Sequence, residues 1–517
     1  MDLLAALLSL ASLARLAAAT TVTVNVPALG DIVGIARTDT NAFLGIKYAS
    51  ALRFEDPQPV SHWPNPYDAT TVGAACYQSC PNIPDLACQE DISEDCLFLN
   101  IYTPSGNPPG TCVMFFVHGG NFASYSGGSE LYDGDVFVNE GGCILVTMNY
   151  RLAAFGFLGS RNLGVKDQIA ALEWIHTYIQ YFGGDNTQIT AFGQSAGAQS
   201  TALLMSVPSA SQYFNSAILQ SCPFTLPFRT AAQGESQEAQ LATLMGCTVG
   251  NLTCYREADA DDILTFQGQV TLPGATFLLA FQFWGPVIDG TLVKDHLYNI
   301  FERGLHKKMN TIIGTVQDEG VGYIFSIYNN PINSAELESL LATVNPSLSL
   351  GLLGLFYDIN ANADKRFVLS EMTTDYVFNC VSRAVSDIVA DDSRSFNYVF
   401  DQLFPYDIWG PGNVCNNYVC HGIEIPSVFG TYDLGNYTLP PDQEELSDDI
   451  IKYWTNFAKY GKPFRRNMGL VKWQRYSFWR QRFLILDAAN TRQTTNIANS
   501  ARCLLFELFV GYNPYST

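Results

Sequence analysis

Short runs of apolar residues recur along the chain, and polar or helix-forming stretches separate them. Within these runs polar and apolar positions do not alternate, which is typical of strands that are buried on both faces of a sheet. We therefore predict parallel strands at five places, which are 112–117, 143–148, 216–219, 311–313 and 483–486.

Two stretches between these runs have the spacing of amphipathic helices. In 165–182 apolar residues recur at helical intervals, and the pattern stops at Gly183. The stretch 446–460 also has one apolar face, and it stops at Gly461. Strands that alternate with helices predict an α/β fold, with a large, mostly parallel central sheet and helices on both faces.

The composition is even along all 517 residues, at 47% hydrophobic and 15% charged, without a linker-like stretch. No internal repeat, heptad run or low-complexity segment is evident. We therefore predict a single large domain over residues 20–517.

The first 19 residues predict a secretory signal peptide. They contain an apolar core and end in Ala17-Ala18-Ala19, a small-residue pattern that signal peptidase accepts. Asp2 stands where such signals usually carry a positive charge, so a cytosolic start is the alternative. No later segment has eighteen uninterrupted apolar residues, so we expect no transmembrane segment and a secreted or vesicular protein.

The formal net charge is −21 at pH 7. A surface of this sign repels phosphate backbones and anionic membranes, so we do not expect nucleic acid as a partner. We interpret the charge as a source of solubility. The alternative interpretation is that the negative charge attracts cationic substrates.

Thirteen cysteines, several of them close together, indicate an oxidising compartment. Because the number is odd, at least one cysteine is free or bonded to another chain. Two N-glycosylation sequons, which begin at Asn251 and Asn436, agree with secretion.

A candidate nucleophile lies in the segment 189–197, where Gly193, Ser195 and Gly197 form a Gly-x-Ser-x-Gly pattern after an apolar strand end. Residues 198–206 read as a helix. Flanking glycines permit a sharp strand-to-helix turn that exposes the serine hydroxyl to a helix amino terminus. A plain turn gives the same pattern, but this context favours a nucleophile.

A serine nucleophile needs a base, an acid that orients the base, and N–H donors for an oxyanion. The turn His118-Gly119-Gly120 follows a predicted strand, and its backbone N–H groups are candidate donors. His421 is the only histidine after His306, and the chain order serine, acid, histidine makes it the candidate base. Asp318 and Glu319 both follow a predicted strand, and spacing does not choose between them.

Taken together, these features resemble the type-B carboxylesterase/lipase family, which includes cholinesterases and non-catalytic adhesion relatives. The resemblance implies the α/β-hydrolase fold and a serine carboxylic-ester hydrolase that acts on a small-molecule or lipid ester without a cofactor or metal. It covers nearly the whole mature chain, in the segments 45–49, 94–102, 118–122, 149–157, 164–175, 182–197, 314–320 and 421–430.

The resemblance also assigns roles to individual residues. It implies a triad of Ser195 as nucleophile, Glu319 as acid and His421 as base. The oxyanion donors that it implies are the backbone N–H groups of Gly120, Asn121 and Ala196.

Disulfide pairs are expected from the same resemblance or as local partners. Three buried thiols are then expected at Cys112, Cys143 and Cys222. The resemblance implies the pairs Cys76–Cys96, Cys247–Cys254 and Cys380–Cys503. The pairs Cys80–Cys88 and Cys415–Cys420 are expected because their members are close in the chain.

Three positions depart from the family pattern. Gln194 replaces a glutamate whose charge would interact with an imidazolium by roughly 2–4 kcal/mol, so a lower rate or a different pH optimum is expected. Asn121 replaces a glycine but keeps its backbone N–H. The loop 76–96 lacks the tryptophan that holds choline, so choline esters are not the expected substrate.

Phe228 falls where relatives have an aromatic residue of the acyl pocket, although ordinary core packing explains it equally well. A different class of function is a non-catalytic binding or storage protein of the same fold, since fold does not imply function.

Overall fold

The computed structural model describes residues 20–80, 87–272, 277–345, 348–434, 438–495 and 500–512. Within these ranges thirteen strands form one large mixed sheet. In chain order they are Thr21–Val26 (β1), Gly30–Ala36 (β2), Thr40–Lys47 (β3), Tyr67–Asp68 (β4), Phe98–Pro104 (β5), Thr111–Val117 (β6), Ile144–Met148 (β7), Gly184–Gln194 (β8), Ser216–Gln220 (β9), Asn310–Val316 (β10), Ser395–Phe400 (β11), Phe483–Leu486 (β12) and Arg492–Thr494 (β13).

The strands lie in the order β1-β2-β3-β5-β7-β6-β8-β9-β10-β11-β12-β13, and β4 pairs with β2. The seven strands β7, β6, β8, β9, β10, β11 and β12, which are consecutive in the sheet, are parallel to one another. The edges are mostly antiparallel. Three short pairs lie outside this sheet: Ala49–Ser50 with Gln58–Pro59, Ala75–Cys76 with Ile92–Ser93, and Arg229–Thr230 with Val287–Ile288.

Helices cover both faces of the sheet, as the sequence predicts. The α-helices are Asp135–Gly141, Ala153–Phe157, Leu163–Tyr178, Ala196–Leu204, Pro208–Ser211, Ala231–Leu244, Leu252–Glu257, Ala260–Gln267, Phe277–Ala280, Leu297–Glu302, Glu319–Ile327, Ser334–Val344, Leu350–Leu353, Arg366–Thr373, Cys380–Asp392, Ile425–Phe429, Pro441–Tyr460 and Ser500–Phe509. A π-helical turn covers Thr374–Asn379, and 3-10 turns cover Glu130–Tyr132, Ile179–Phe182 and Val414–Asn417.

Two hydrophobic cores lie on the two faces of the sheet, and β6 shows why. Val113 and Phe115 point into one core, whereas Met114 and Phe116 point into the other. Successive side chains of a strand point to opposite faces, so a strand covered on both sides must be apolar throughout. This burial explains the continuous apolar runs in the sequence.

The described cysteines include one pair that we did not expect. Cys112 and Cys143 are bonded to each other, so the expectation of two buried thiols was wrong. The reason is strand register: Val113 of β6 lies opposite Ile144 of β7, which brings the preceding residues within 4.9 Å at their Cα atoms. The structure also bonds the five expected pairs, and Cys222 is free and buried.

None of the helices in the described ranges is long and apolar enough to span a membrane. Residues 1–19, where we predict the signal peptide, lie outside the described residues. The carboxyl ends of β6, β8 and β10 lie along one edge of the sheet, and ligands commonly bind at such an edge.

Candidate active site

Ser195 lies in the tight turn between β8 and the helix Ala196–Leu204. Its backbone has φ 59° and ψ −126°, which a non-glycine residue rarely adopts. A Cβ atom on Gly193 would lie 2.4 Å from the backbone of Gly197, and one on Gly197 would lie 1.9 Å from the carbonyl oxygen of Val117. Glycine is therefore required at both flanking positions, and the turn presents Ser195 to a cavity.

Glu319 and His421 form a close hydrogen-bonded pair beside this turn. Glu319 is fully buried at the start of the helix Glu319–Ile327, and its Oε1 accepts the N–H of Val316 at 2.9 Å. Its Oε2 lies 2.5 Å from Nδ1 of His421. A carboxylate in this position favours the tautomer with the proton on Nδ1, so Nε2 keeps its lone pair.

The loop that carries His421 is attached to the end of β10. The Asp318 N–H donates to the carbonyl oxygen of Val419, and Oδ2 of Asp318 accepts the Val419 N–H, both at 3.0 Å. The disulfide Cys415–Cys420 closes the same loop. Spacing left both carboxylates open as partners of the histidine, and the structure places Glu319 at the ring and Asp318 at the backbone.

The loop after β6 places Gly120 and Asn121 at the cavity, with φ angles of 85° and 58°. Asparagine tolerates this conformation, and the Asn121 side chain donates to the carbonyl oxygen of Phe281 at 2.5 Å. Among the described residues, the N–H groups of Gly120, Asn121 and Ala196 have no acceptor. Free donors beside a nucleophile are what a developing oxyanion requires.

The Ser195 hydroxyl and the His421 ring each bond to another side chain. Nε2 of His421 accepts the side-chain amide of Gln194 at 3.1 Å. Oγ of Ser195 lies 3.5 Å from the hydroxyl oxygen of Tyr323. Catalytic hydrogen bonds are often long or poorly aligned in unliganded enzymes and tighten when substrate binds. The groups are assembled, but the contact between serine and histidine is open.

Sequence reasoning missed Tyr323, although its position carried a signal. It follows Glu319 by four residues in one helix, and residues at this spacing share a face. Its ring packs against the rings of His421 and Phe378, at centroid distances of 5.0 and 6.0 Å. A helix that starts at the candidate acid therefore delivers a second polar group to the same site.

Glu424 is a further buried carboxyl group beside the site that sequence reasoning missed. It is 1% exposed, and its Oε1 accepts the side-chain amide of Gln220 at 3.4 Å, whereas Oε2 has no partner among the described residues. Burial raises the pKa of Glu424 to about 7, and the negative charge of Glu319 adds to this rise. A proton therefore titrates close to His421 near neutral pH.

His118, at the start of the oxyanion loop, is buried against the ring of Tyr150, with centroids 4.5 Å apart. Its Nδ1 lies 3.0 Å from the carbonyl oxygen of Gly119. Burial lowers the pKa of His118 to about 4, so the ring is neutral and holds the loop in place.

The cavity in front of Ser195 has a volume of about 840 Å³. No carboxylate side chain belongs to its described lining, and Arg366, which does, pairs with Asp364 at 2.7 Å. The rest of the lining includes many aromatic side chains, namely Tyr125, Tyr132, Tyr323, Phe325, Tyr406, Trp409 and Tyr432. These surroundings suit a neutral molecule with apolar or aromatic parts.

Two other predicted positions have different surroundings. Phe228 is 1% exposed in the main hydrophobic core and is not among the described residues of the cavity lining, so core packing accounts for it. Asn251 is exposed and caps the helix Leu252–Glu257. Asn436 lies outside the described residues.

Comparison with known proteins agrees with this geometry. The sequence pattern of the Carboxylesterase family matches residues 19–505. The chain belongs to the carboxylesterase family. Family membership and the large mixed sheet covered by helices together give the α/β-hydrolase fold.

Relatives of this carboxylesterase-family chain span most of its length. A cAMP-regulated D2 protein of Dictyostelium discoideum is 33% identical over 493 residues, which are 93% of this chain and 91% of the relative. A crystal protein of the same organism is 33% identical, with 83% and 80% covered. A cholinesterase of Mus musculus is 30% identical over 532 residues, with 94% and 84% covered. The family supports a hydrolase.

Proposed function

We propose that the chain is a secreted serine carboxylic-ester hydrolase that forms an acyl-enzyme on Ser195. The observation that carries this proposal is the arrangement of Ser195, in a strained strand-to-helix turn, beside the His421–Glu319 pair, whose nitrogen and oxygen lie 2.5 Å apart. Family membership and the six disulfides among the described residues support a secreted hydrolase.

In the first half of the proposed reaction, Oγ of Ser195 attacks the ester carbonyl carbon and its proton passes to Nε2 of His421. Glu319 stabilises the imidazolium that forms. The N–H groups of Gly120, Asn121 and Ala196 bind the oxyanion. The imidazolium then gives its proton to the leaving alcohol, and an ester bond joins the acyl group to the serine.

In the second half, water attacks the acyl-enzyme and gives a proton to Nε2 of His421, and the imidazolium then returns the proton to Oγ of Ser195 as the bond between this oxygen and the acyl carbon breaks and the carboxylic acid leaves. Both halves require Nε2 of His421 to be free. The side chain of Gln194 must therefore move from this nitrogen when substrate binds.

The proposed substrates are neutral esters of small to medium size. The loop 76–96 lacks the tryptophan with which cholinesterases hold a quaternary ammonium group, so choline is not the expected alcohol part of the substrate. The volume of about 840 Å³ is within the range of small-molecule sites.

Hydrolysis of p-nitrophenyl acetate, butyrate and palmitate, and of acetylthiocholine, by wild type and Ser195→Ala tests the proposal. We expect Ser195→Ala to lose about 10⁶-fold in kcat, as in other serine hydrolases. Acetate or butyrate should be preferred over acetylthiocholine. Equal turnover by both proteins would overturn the assignment of Ser195.

A second candidate is a non-catalytic binding protein of the same fold. One observation favours it: Gln194 occupies the base nitrogen of His421, and Ser195 contacts Tyr323 instead. The names of the two Dictyostelium relatives specify no enzymatic activity. A folded wild-type protein that hydrolyses none of the four esters would support this candidate.

A further inference from the structure

A second cavity, of about 630 Å³, lies at the opposite end of the central sheet, near the amino ends of β10 and β11. Arg394 immediately precedes β11, and Gly461 approaches Asn310, the first residue of β10. Six side chains in the lining are cationic, namely Arg394, Lys462, Arg465, Arg466, Lys472 and Arg475.

The charge of this cavity is opposite to that of the molecule. The segment 462–482 contains seven of the 28 lysines and arginines and no aspartate or glutamate, although the whole chain carries a net charge of −21. The remaining surface therefore carries more than the entire net negative charge. Clustered cations repel one another and attract anions, so this cluster favours the binding of an anionic ligand.

None of the six cations forms an ion pair with any residue in the described ranges. The guanidinium of Arg465 lies 4.1 Å from the ring centroid of Tyr460, which orients it without neutralising it. Asp392, just before Arg394 in the chain, pairs with Lys308 and limits the cationic surface on that side. Asp391 and Asp392 also share a neighbouring hollow with Arg394 and Arg475. The cationic charge that is most available to a ligand is therefore that of Lys462, Arg465, Arg466 and Lys472.

We propose that this cavity binds a sulfated or carboxylated polysaccharide. The planar fork of an arginine matches sulfate and carboxylate groups, and four arginines lie in the lining. Phe464, which is partly buried, lines the same cavity and offers apolar surface to the C–H face of a sugar ring, whereas Trp473 is 3% exposed and forms the floor beneath it. Trp473 is fixed by a hydrogen bond from its Nε1 to the carbonyl oxygen of Asn397 at 3.1 Å.

The charge distribution of the molecule favours a narrow, flexible anionic chain over an extended anionic surface. A bilayer or a second copy of this protein would face the acidic remainder of the surface and be repelled by it. A narrow polysaccharide can contact the cationic cavity without facing the acidic surface around it. Single-stranded nucleic acid is also narrow, but the six disulfides described indicate an oxidising compartment, outside the cytosol and nucleus where nucleic acid is held.

A turn beside the cavity extends the surface. It follows Arg475 in the chain and carries Phe478 and Trp479, which are 55% and 88% exposed. Exposed aromatic rings next to cations suit further sugar units, and they also suit a membrane interface. Anionic vesicles therefore belong in the test.

The test is a binding titration of the full-length protein with a heparin hexasaccharide, its desulfated form, a single-stranded RNA of equal charge, and vesicles that contain phosphatidylserine. The variant is the double substitution Arg465→Glu/Arg466→Glu. Lys294→Glu/Lys452→Glu makes the same charge change at two cations outside this cavity that, like Arg465 and Arg466, form no ion pair within the described ranges. Thermal unfolding measurements check that each variant folds. Because the readout is binding, the outcome does not depend on the proposed ester hydrolysis.

We expect the sulfated hexasaccharide to bind and its affinity to fall as salt rises. The Arg465/Arg466 variant should weaken this binding about tenfold or more, and the matched control by less than about threefold. Equal loss in both variants, no binding at low salt, or tighter binding of RNA or vesicles would each overturn the proposal.

Discussion

The two ends of the central sheet each carry a cavity, and they hold their polar groups in different ways. At the carboxyl ends of the strands, Glu319 is fully buried with both carboxylate oxygens bonded, and Ser195 has a strained backbone. At the amino ends, exposed cations such as Arg465 and Arg466 have no ion-pair partner in the described structure.

This difference predicts different responses to substitution. Fixed, desolvated groups interact strongly, so single changes near Ser195 should have large and local effects. Exposed charges interact weakly and through salt-screened forces, so changes near Arg465 should have small, additive effects. Three of the four comparisons below pair a change at one end with a similar change at the other.

The largest contrast is expected for glycine-to-alanine substitutions. A Cβ on Gly197 would lie 1.9 Å from the carbonyl oxygen of Val117, so Gly197→Ala should lose more than about 4 kcal/mol of the free energy of unfolding or fail to fold. Gly469, in the cationic segment, has φ +76° and no atom near its Cβ position, so Gly469→Ala should cost about 1–2 kcal/mol. Urea unfolding measures both, and equal losses would contradict the packing argument.

The next effect concerns the pH dependence of stability at Glu424. Burial raises its folded-state pKa from 4.5 to about 7, so between these values the native state holds a proton that the unfolded chain has released. Its contribution to the free energy of unfolding is therefore present below pH 4.5 and is lost as pH rises to about 7. The total loss is about 3 kcal/mol.

Glu424→Gln stays neutral and should not show this loss. We expect the wild-type free energy of unfolding to fall relative to that of Glu424→Gln between pH 4.5 and 7, as measured by urea titrations. Glu445→Gln, at an exposed carboxylate, serves as the control. Parallel pH profiles of wild type and Glu424→Gln would contradict the buried-proton assignment.

A smaller effect is expected at Gln194. Gln194→Glu removes the donor at Nε2 of His421 and adds a charge that stabilises the imidazolium, so kcat/KM for a neutral ester should rise about tenfold. Gln474 lines the cationic cavity, and Gln474→Glu should leave ester hydrolysis unchanged while weakening hexasaccharide binding. A fall in kcat/KM for Gln194→Glu would show that the amide assists the reaction.

The smallest effect is expected at Tyr323. Its hydroxyl is 3.5 Å from Oγ of Ser195, and a weak hydrogen bond of this kind contributes about 0.5–1 kcal/mol, so Tyr323→Phe should change kcat/KM about two- to fivefold. Tyr460→Phe, which keeps the ring under Arg465, should change neither hydrolysis nor hexasaccharide binding measurably. A loss above about a hundredfold in Tyr323→Phe would indicate a direct catalytic role.

The apolar patterns predicted the core of the fold well. The five predicted strands are present with ends shifted by up to three residues, because a run of apolar letters marks burial and the hydrogen-bond ladder extends beyond it. The helix expected at 446–460 begins at Pro441, since proline fits the first turn of a helix. Local sequence patterns therefore predict which helices and strands are present better than they predict where each one begins and ends.

Contacts between distant segments could not be predicted in this way. The Cys112–Cys143 bond depends on the register of β6 and β7, and the Gln194–His421 contact depends on side-chain positions. The cationic cavity brings Arg394 to the segment 462–475 through the sheet. The net charge of −21 does not reveal this local excess of cations, because a net charge does not record where the charged residues lie.

The most direct test of the central claim is intact-protein mass spectrometry after treatment with a fluorophosphonate. A serine activated by His421 and the oxyanion donors should take up one equivalent, and peptide mapping should place it on Ser195. Ser195→Ala should remain unlabelled. A folded wild-type protein that takes up no label, or carries it on another residue, would contradict the account of Ser195 as the nucleophile.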